Sequence, residues 1–216
     1  MVKTGVIGII GIHTGIGKTI ASAVIAEALG ADYWKPVQSG IDERDSLLVA
    51  SLLTNGNARV HEEAYLLNTP VSPQLAAEID NINIDFKNLK WPETEKTLLV
   101  ETAGGLLSPM TATDTMADFI QWYQLPVILV VQNYLGSINH TMLTIEVLKN
   151  RDMKVAGIIF NDHTNEASEV FITNNSDIPI LGRIPHIDNL DNNEVAKVGA
   201  IIKQSITNKL INLLNN

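Results

Sequence analysis

Residues 6–20, Val-Ile-Gly-Ile-Ile-Gly-Ile-His-Thr-Gly-Ile-Gly-Lys-Thr-Ile, constrain the fold of this 216-residue chain more than any other stretch. The apolar run 6–10 is short enough for a buried strand, and helical spacing takes over across 20–29. Between them lies a glycine-rich loop that ends in Gly17-Lys18-Thr19. Strand, glycine loop, Lys-Thr and helix make the layout of a phosphate-binding loop. Glycines let backbone N–H groups curl around a polyphosphate, and the helix N-terminus adds partial positive charge. Lys18 supplies a point charge for the outer phosphates, and the Thr19 hydroxyl faces a Mg2+ ion. The usual pattern needs glycine at position 12, where Ile12 stands; Gly11 is separated from Gly17 by five intervening residues instead. A glycine turn that binds nothing is the plainer alternative, and the Lys-Thr pair argues against it. The loop is specific for nucleotide binding and says little about the reaction.

The rest of the chain continues this alternation. Short apolar runs at 6–10, 33–37, 97–101, 127–132, 155–160 and 178–181 read as strands. Helical patterning marks 18–29, 45–53, 74–79, 115–123, 138–149, 166–174 and 194–214. Continuous apolar strands separated by helices predict a parallel sheet covered on both faces. The expected fold is α/β, a three-layer P-loop NTPase-like architecture with a mostly parallel sheet. Residues 55–68 and 81–96 read as polar connections within one domain spanning 1–216.

Composition narrows the partners. The net charge of −9, with no basic cluster, argues against nucleic acid. The chain has no cysteine, hence neither disulfides nor thiolate zinc sites, which fits a reducing cytosol. The N-terminal apolar segment has only Lys3 before it and no cleavage-like site, so it reads as a core strand. No apolar run approaches the roughly 20 residues that span a bilayer. A cytoplasmic protein with neither membrane nor nucleic-acid partner is expected.

In an open α/β sheet, ligands bind beyond the carboxyl ends of the strands. Those ends here carry the glycine loop with Lys18, then Lys35, Glu101, Asn133, Asn161 and Arg183. A lysine and a glutamate emerging directly from apolar runs are costly unless paired or ligated. In Tyr33-Trp34-Lys35-Pro36-Val37-Gln38-Ser39-Gly40, Lys35 reads either as a surface lysine or as a second cation for a phosphoryl group or carboxylate. Glu101, followed by Thr102-Ala103-Gly104-Gly105, is well placed to hold Mg2+. Asp45 reads as a second metal ligand or as a first-turn helix acid, and the residues alone favour the helix role. Among five histidines no metal-ligand spacing occurs; His13 lies in the phosphate loop, within reach of a ligand. Ser137 is the expected N-cap of the helix that follows Gly136.

Taken together, these motifs resemble the dethiobiotin synthetase family. Its Gly-Thr-Asp-Thr-x-x-Gly-Lys-Thr loop, with the same five-residue gap, matches Gly11 to Thr19. Its Lys-Pro-Val-x-Ser-Gly segment matches Lys35 to Gly40, and its Glu-x-Ala-Gly-Gly segment matches Glu101 to Gly105. A Ser-Pro pair matches Ser72-Pro73, Leu-Gly-x-Ile-Asn-His matches Leu135 to His140, Asn-Asp matches Asn161-Asp162, and Gly-x-Ile-Pro matches Gly182 to Pro185. The resemblance implies ATP-dependent condensation of 7,8-diaminononanoate with CO2 (or bicarbonate as its source) to dethiobiotin, through a carbamate and a carbamic–phosphoric anhydride. It implies catalytic roles for Lys18 and Lys35, and Mg2+ held by Thr19, Asp45 and Glu101. Gly15, Ile16, Gly17, Lys18, Thr19 and Ile20 would cradle the phosphates. Thr102, Ala103 and Gly104 would also border the nucleotide. Asn161, Asp162, Pro185, His186 and Ile187 would receive the adenine, and Thr14, Ser39 and Ser72 would lie along the substrate. It further implies a homodimer with substrate near the interface, where residues 135–139 reach a partner's substrate.

Three departures stand out: Ile12 and His13 replace the family's Thr-Asp, and Thr102 replaces a frequent glycine. His13→Asp is expected to retain activity. The leading rival is a regulatory ATPase of the partition and septum-positioning type. Those proteins carry an extra lysine at the start of the loop, where this chain has Ile12. An amide-forming synthetase of cobalamin assembly would usually add a glutamine-hydrolysing domain with a cysteine, which this chain lacks. A degenerate nucleotide-binding module is disfavoured by the retained Lys18, Thr19, Lys35 and Glu101.

Overall fold

Strand β1 (Val6–Gly11) is buried along its whole length. A strand covered on both faces reads as a continuous apolar run rather than an alternation. The computed structural model describes residues 5–54, 56 and 58–214; Lys3 and Asn55 of the sequence reading lie outside them. β1 pairs in parallel with β6 (Leu98–Glu101) on one side and β7 (Val127–Gln132) on the other, placing Ile9 opposite Glu101 and Gly11 opposite Val130. Beyond β6 come β2 (Asp32–Trp34) and the edge strand β4 (Val60–His61); beyond β7 come β8 (Val155–Asn161) and β9 (Ile180–Ile184). The order is β4-β2-β6-β1-β7-β8-β9, and every pairing in it is parallel.

Helix α1 (Lys18–Leu29) carries the chain from β1 across to β2. Helices α4 (Met116–Tyr123), α5 (Ser137–Asn150) and α6 (Glu166–Ser176) carry it the opposite way, through β7 and β8 to β9. Right-handed crossovers running in opposite directions put α1 on one face and α4, α5 and α6 on the other. Helix α2 (Asp45–Leu52) and helix α7 (Asn192–Leu214) pack on α1 and on each other, completing that layer. The three-layer α/β fold is therefore present. Strand β3 (Val37–Ser39) and strand β5 (Tyr65–Leu67) form a separate parallel pair beside the short helix α3 (Pro73–Ile79).

Three expectations change. The single strand expected over 33–37 is broken at Lys35-Pro36 into β2 and β3, because a proline has no N–H for a ladder. The polar stretch 55–68 contains β4 and β5. These are too short to show a period, and they pair only with strands distant in sequence. The N-cap of α5 is Gly136, at φ 100°, and Ser137 lies inside the helix with its buried hydroxyl unpaired among the described residues.

Both sheet edges have visible terminations. β4 is two residues long and runs into Glu62 and Glu63, where the Glu62 carbonyl accepts from Trp34 Nε1 at 2.9 Å and Glu63 pairs with Arg44. At the other edge, Lys209 of α7 donates to the Ile180 carbonyl at the start of β9. Among the described residues, no helix is long and apolar enough to cross a membrane.

Candidate active site

The glycine loop leaves β1 at the carboxyl edge of the sheet, and its glycines have separate tasks. A Cβ at Gly11 would press on the Lys18 side chain at 3.0 Å, so Gly11 clears the channel through which the lysine stem runs back. Gly17 is the N-cap of α1 at φ 81°, and a Cβ there would land on the Asn161 amide. α1 has no capping side chain and no acid in its first turn. Its N-terminal dipole is thus left for an anion. Asn161, at the end of β8, donates from Nδ2 to the Ile16 carbonyl at 2.9 Å and so ties the loop to a strand two positions away.

Lys18 is buried, and its Nζ donates to the His13 carbonyl at 3.2 Å. Burial pushes its pKa down from 10.5 to about 8; Glu101 partly opposes the fall and Lys35 adds to it. A cation held this way gains when phosphate oxygens replace one neutral carbonyl.

Glu101 is the hub. It is 1% exposed at the end of β6, where an unanswered carboxylate would be prohibitive. Oε1 accepts from Thr19 Oγ1 at 3.0 Å; Oε2 accepts from Ser22 Oγ at 2.8 Å and Tyr33 OH at 3.0 Å. Lys35 Nζ stands 3.6 Å from Oε1 and also pairs with Asp45. Burial, reinforced by Glu101, drives the Tyr33 phenol pKa well upward, so Tyr33 remains a donor. Thr19, Asp45, Glu101, Lys35 and Lys18 are thereby brought into one constellation. Asp45 takes the helix role considered for it by opening α2, and its carboxylate turns onto Lys35.

The chain break after β2 positions Lys35. Pro36 ends the ladder, Gln38 folds back to donate to the Gly40 carbonyl at 3.3 Å and accept from the Asp45 N–H at 3.3 Å, and the Ser39 hydroxyl is buried without a partner among the described residues. Ser72 precedes α3 and makes no capping bond. On the β1 side of β6, Thr102 Oγ1 donates to the Ile9 carbonyl at 3.2 Å, anchoring the turn through Ala103 and Gly104. Gly104 is at φ 71°, and a Cβ there would strike the Ser108 hydroxyl. Thr14 and His13 line a cavity of about 380 Å³ together with Gly105, Ser108 and the first turns of α5.

At the far end, Asp162 turns at φ 72°, accepts from Gln132 Nε2 at 2.5 Å and pairs with His186 Nδ1 at 2.5 Å. Burial would raise its pKa, but these bonds and the neighbouring imidazoles hold it below the usual value. The His163 and His186 rings stack with centroids 4.4 Å apart, next to Pro185 and Ile187 in the segment after β9. Arg183 is not free for a ligand, since it pairs with Glu169; Asn133 donates to the same carboxylate at 2.6 Å. The sequence reading missed Ser22, Tyr33, Gln38 and Gln132. Ser22 could have been found, because it sits one helical turn after Thr19 on the same face.

A parallel sheet with a Lys-Thr glycine loop at the tip of its central strand defines a P-loop NTPase-like protein. The septum site-determining protein MinD complexed with Mg-ADP from Pyrococcus horikoshii OT3 shares this fold. It aligns at TM-score 0.53 and 17% identity over 98% of this chain and 97% of that one. A family model described as AAA domain matches residues 6–194. At much higher identity stand proteins named ATP-dependent dethiobiotin synthetase BioD. That of Christiangramia forsetii is 47% identical over 193 residues, 88% of this chain and 93% of the relative. That of Nitrobacter hamburgensis is 45% identical over 178 residues, 82% of this chain and 84% of the relative. The chain belongs to the dethiobiotin synthetase family.

Proposed function

We propose that this chain is an ATP- and Mg2+-dependent ligase that carboxylates 7,8-diaminononanoate with CO2 and closes the ureido ring of dethiobiotin, releasing ADP and phosphate. The single observation that carries the reading within the site is the buried cluster in which two lysines face two carboxylates and a threonine beside an uncapped helix N-terminus.

Thr19, Asp45 and Glu101 offer only oxygen donors, two of them carboxylates already facing a cation, which suits Mg2+. The ion, when bound, neutralises charge on the terminal phosphates. In this reading Lys18 exchanges the His13 carbonyl for phosphate oxygens. Lys35, released from Asp45, lies against the carbamate and the transferring phosphoryl group. Residues 15–20 hold the phosphates, and Thr102, Ala103 and Gly104 border them. Asn161, Asp162, Pro185, His186 and Ile187 receive the adenine. Thr14, Ser39 and Ser72 line the diamine, and the unpaired buried Ser39 hydroxyl supports its place there. The amines are themselves the nucleophiles, so the chain's task is positioning and electrostatic stabilisation.

The same reading includes a homodimer. Its support is the exposed Leu107 and Leu143 that line the cavity next to the phosphate loop, together with the exposed Leu135 just before α5. The test is direct: purified protein with Mg-ATP, bicarbonate and 7,8-diaminononanoate is expected to form dethiobiotin. Lys35→Ala is expected to lose at least about 100-fold in kcat. ATP hydrolysis that ignores the diamine would instead support the partition-type ATPase, and full activity in Lys35→Ala would remove the central catalytic assignment.

A further inference from the structure

His13 stands in the phosphate loop, and its ring lines the cavity bounded by Thr14, Ser108 and α5. Its Nδ1 lies 2.6 Å from the Thr14 carbonyl oxygen. A carbonyl only accepts, so Nδ1 carries the proton and, in the neutral ring, Nε2 is the lone-pair nitrogen. The ring is held from one side by His140, near-parallel at 20° with centroids 6.1 Å apart, and edge-on by Tyr134. His140 is itself fixed by a 2.7 Å hydrogen bond between its Nδ1 and the Tyr134 hydroxyl. Burial raises the pKa of that phenol, so it stays neutral. The titratable groups facing His13 are therefore His140 from α5, Tyr134 from the turn before it, and Lys18, whose ammonium sits on the His13 carbonyl. His13 and His140 are the titratable side chains of this cavity. The remainder of its wall is apolar side chains and hydroxyls, suited to an alkyl amine.

We propose that His13 is a general base for the first chemical step, acting through Nε2 on the substrate amine as it bonds to CO2. This rests on the synthetase reading. A neutral amine attacks the carbon of CO2 and one C–O π pair moves onto oxygen. The nitrogen becomes positively charged, and one of its protons passes to Nε2. The balance is R–NH2 + CO2 + imidazole → R–NH–COO− + imidazolium, with no other reactant. The imidazolium, exposed at the cavity mouth, returns its proton to solvent before the next turnover. Thr14 thus acts through its main chain as a positioning residue, fixing which nitrogen is the base, and Tyr134 and His140 restrict the swing of the ring.

The test is the pH profile of dethiobiotin formation by the full chain. For the wild type, log kcat/KM for the diamine should rise with a limiting slope of two on the acid side, because amine and base must both be unprotonated. His13→Gln should lose about 100-fold at pH 7, keep its KM for ATP within about twofold, and show a slope of one. His13→Ala should recover rate with added imidazole, and His13→Asp, which keeps a base, should remain active. The proposal is overturned if His13→Gln keeps the wild-type rate and slope. It is equally overturned if both substitutions lose the same factor at every pH without imidazole rescue. A wild type that makes no dethiobiotin overturns both this inference and the reading it rests on, whereas active wild type with unchanged variants overturns this inference alone.

Discussion

Lys18→Met should make the nucleotide-free protein more stable at neutral pH while abolishing its response to nucleotide. A fall in pKa from 10.5 to about 8 corresponds to roughly 3 kcal/mol against the charged form in the folded chain. Methionine keeps an unbranched stem in the channel beside Gly11 and gives up only the Nζ bond to His13, worth about 1 kcal/mol. The expected net gain is therefore about 2 kcal/mol at pH 7. Below pH 8 the lysine is charged in both states, and the folded protein bears the whole cost. Between about 8 and 10.5 the folded state sheds its proton first, the unfolded state binds more protons, and wild-type stability climbs with pH. Paired urea denaturations at pH 7 and pH 9.5 isolate this group, because other titrations cancel between the two proteins. The advantage of the methionine variant should shrink to near zero at pH 9.5. A variant that is less stable than wild type at pH 7, or whose advantage is the same at both values, would refute the account of Lys18 as a cation held at a cost until phosphate arrives. With Mg-ATP, the wild type should gain melting temperature and the variant should not.

Two further perturbations probe the loop. Gly17→Ala forces a side chain into the left-handed region and onto the Asn161 amide; we expect a loss of about 1–3 kcal/mol in urea unfolding and no nucleotide-dependent rise in melting temperature. Asn161→Ala removes the 2.9 Å bond and orphans the Ile16 carbonyl; ADP affinity by calorimetry should fall about 5- to 10-fold, the equivalent of about 1–1.4 kcal/mol, with the far-UV spectrum unchanged.

The sequence made the sheet's centre legible because doubly covered parallel strands are written as unbroken apolar runs. β7 lies where its pattern puts it, and α1 begins at the lysine of the loop. The strand edge near the site was harder to read. Tyr33 to Val37 is one β-favouring run, yet Pro36 divides it, and that division is what turns Lys35 inward. β4 and β5 owe their existence to partners about thirty residues earlier, which no local period records. Within the site, Lys18, Thr19 and Glu101 announced themselves by type and position, whereas Lys35 on its own segment read equally as a surface lysine. Tyr33 did not announce itself, because a buried tyrosine on a strand looks like core until its hydroxyl is seen on a carboxylate. The pairing of Lys35 with Asp45 was equally hidden, since it depends on how the segment between them, β3 included, folds back.

The ends of the sheet carry a consequence for how this protein survives at high concentration. A seven-stranded parallel sheet has two outer ladders, each a template for strand addition by another molecule. Here one template is only two residues long and stops against a pair of glutamates, one of them locked by Arg44. The other begins with a carbonyl already taken by a lysine from the last helix. Trimming α7 ahead of Lys209, or extending β4 by replacing Glu62 and Glu63 with valines, should therefore show first as light scattering on storage.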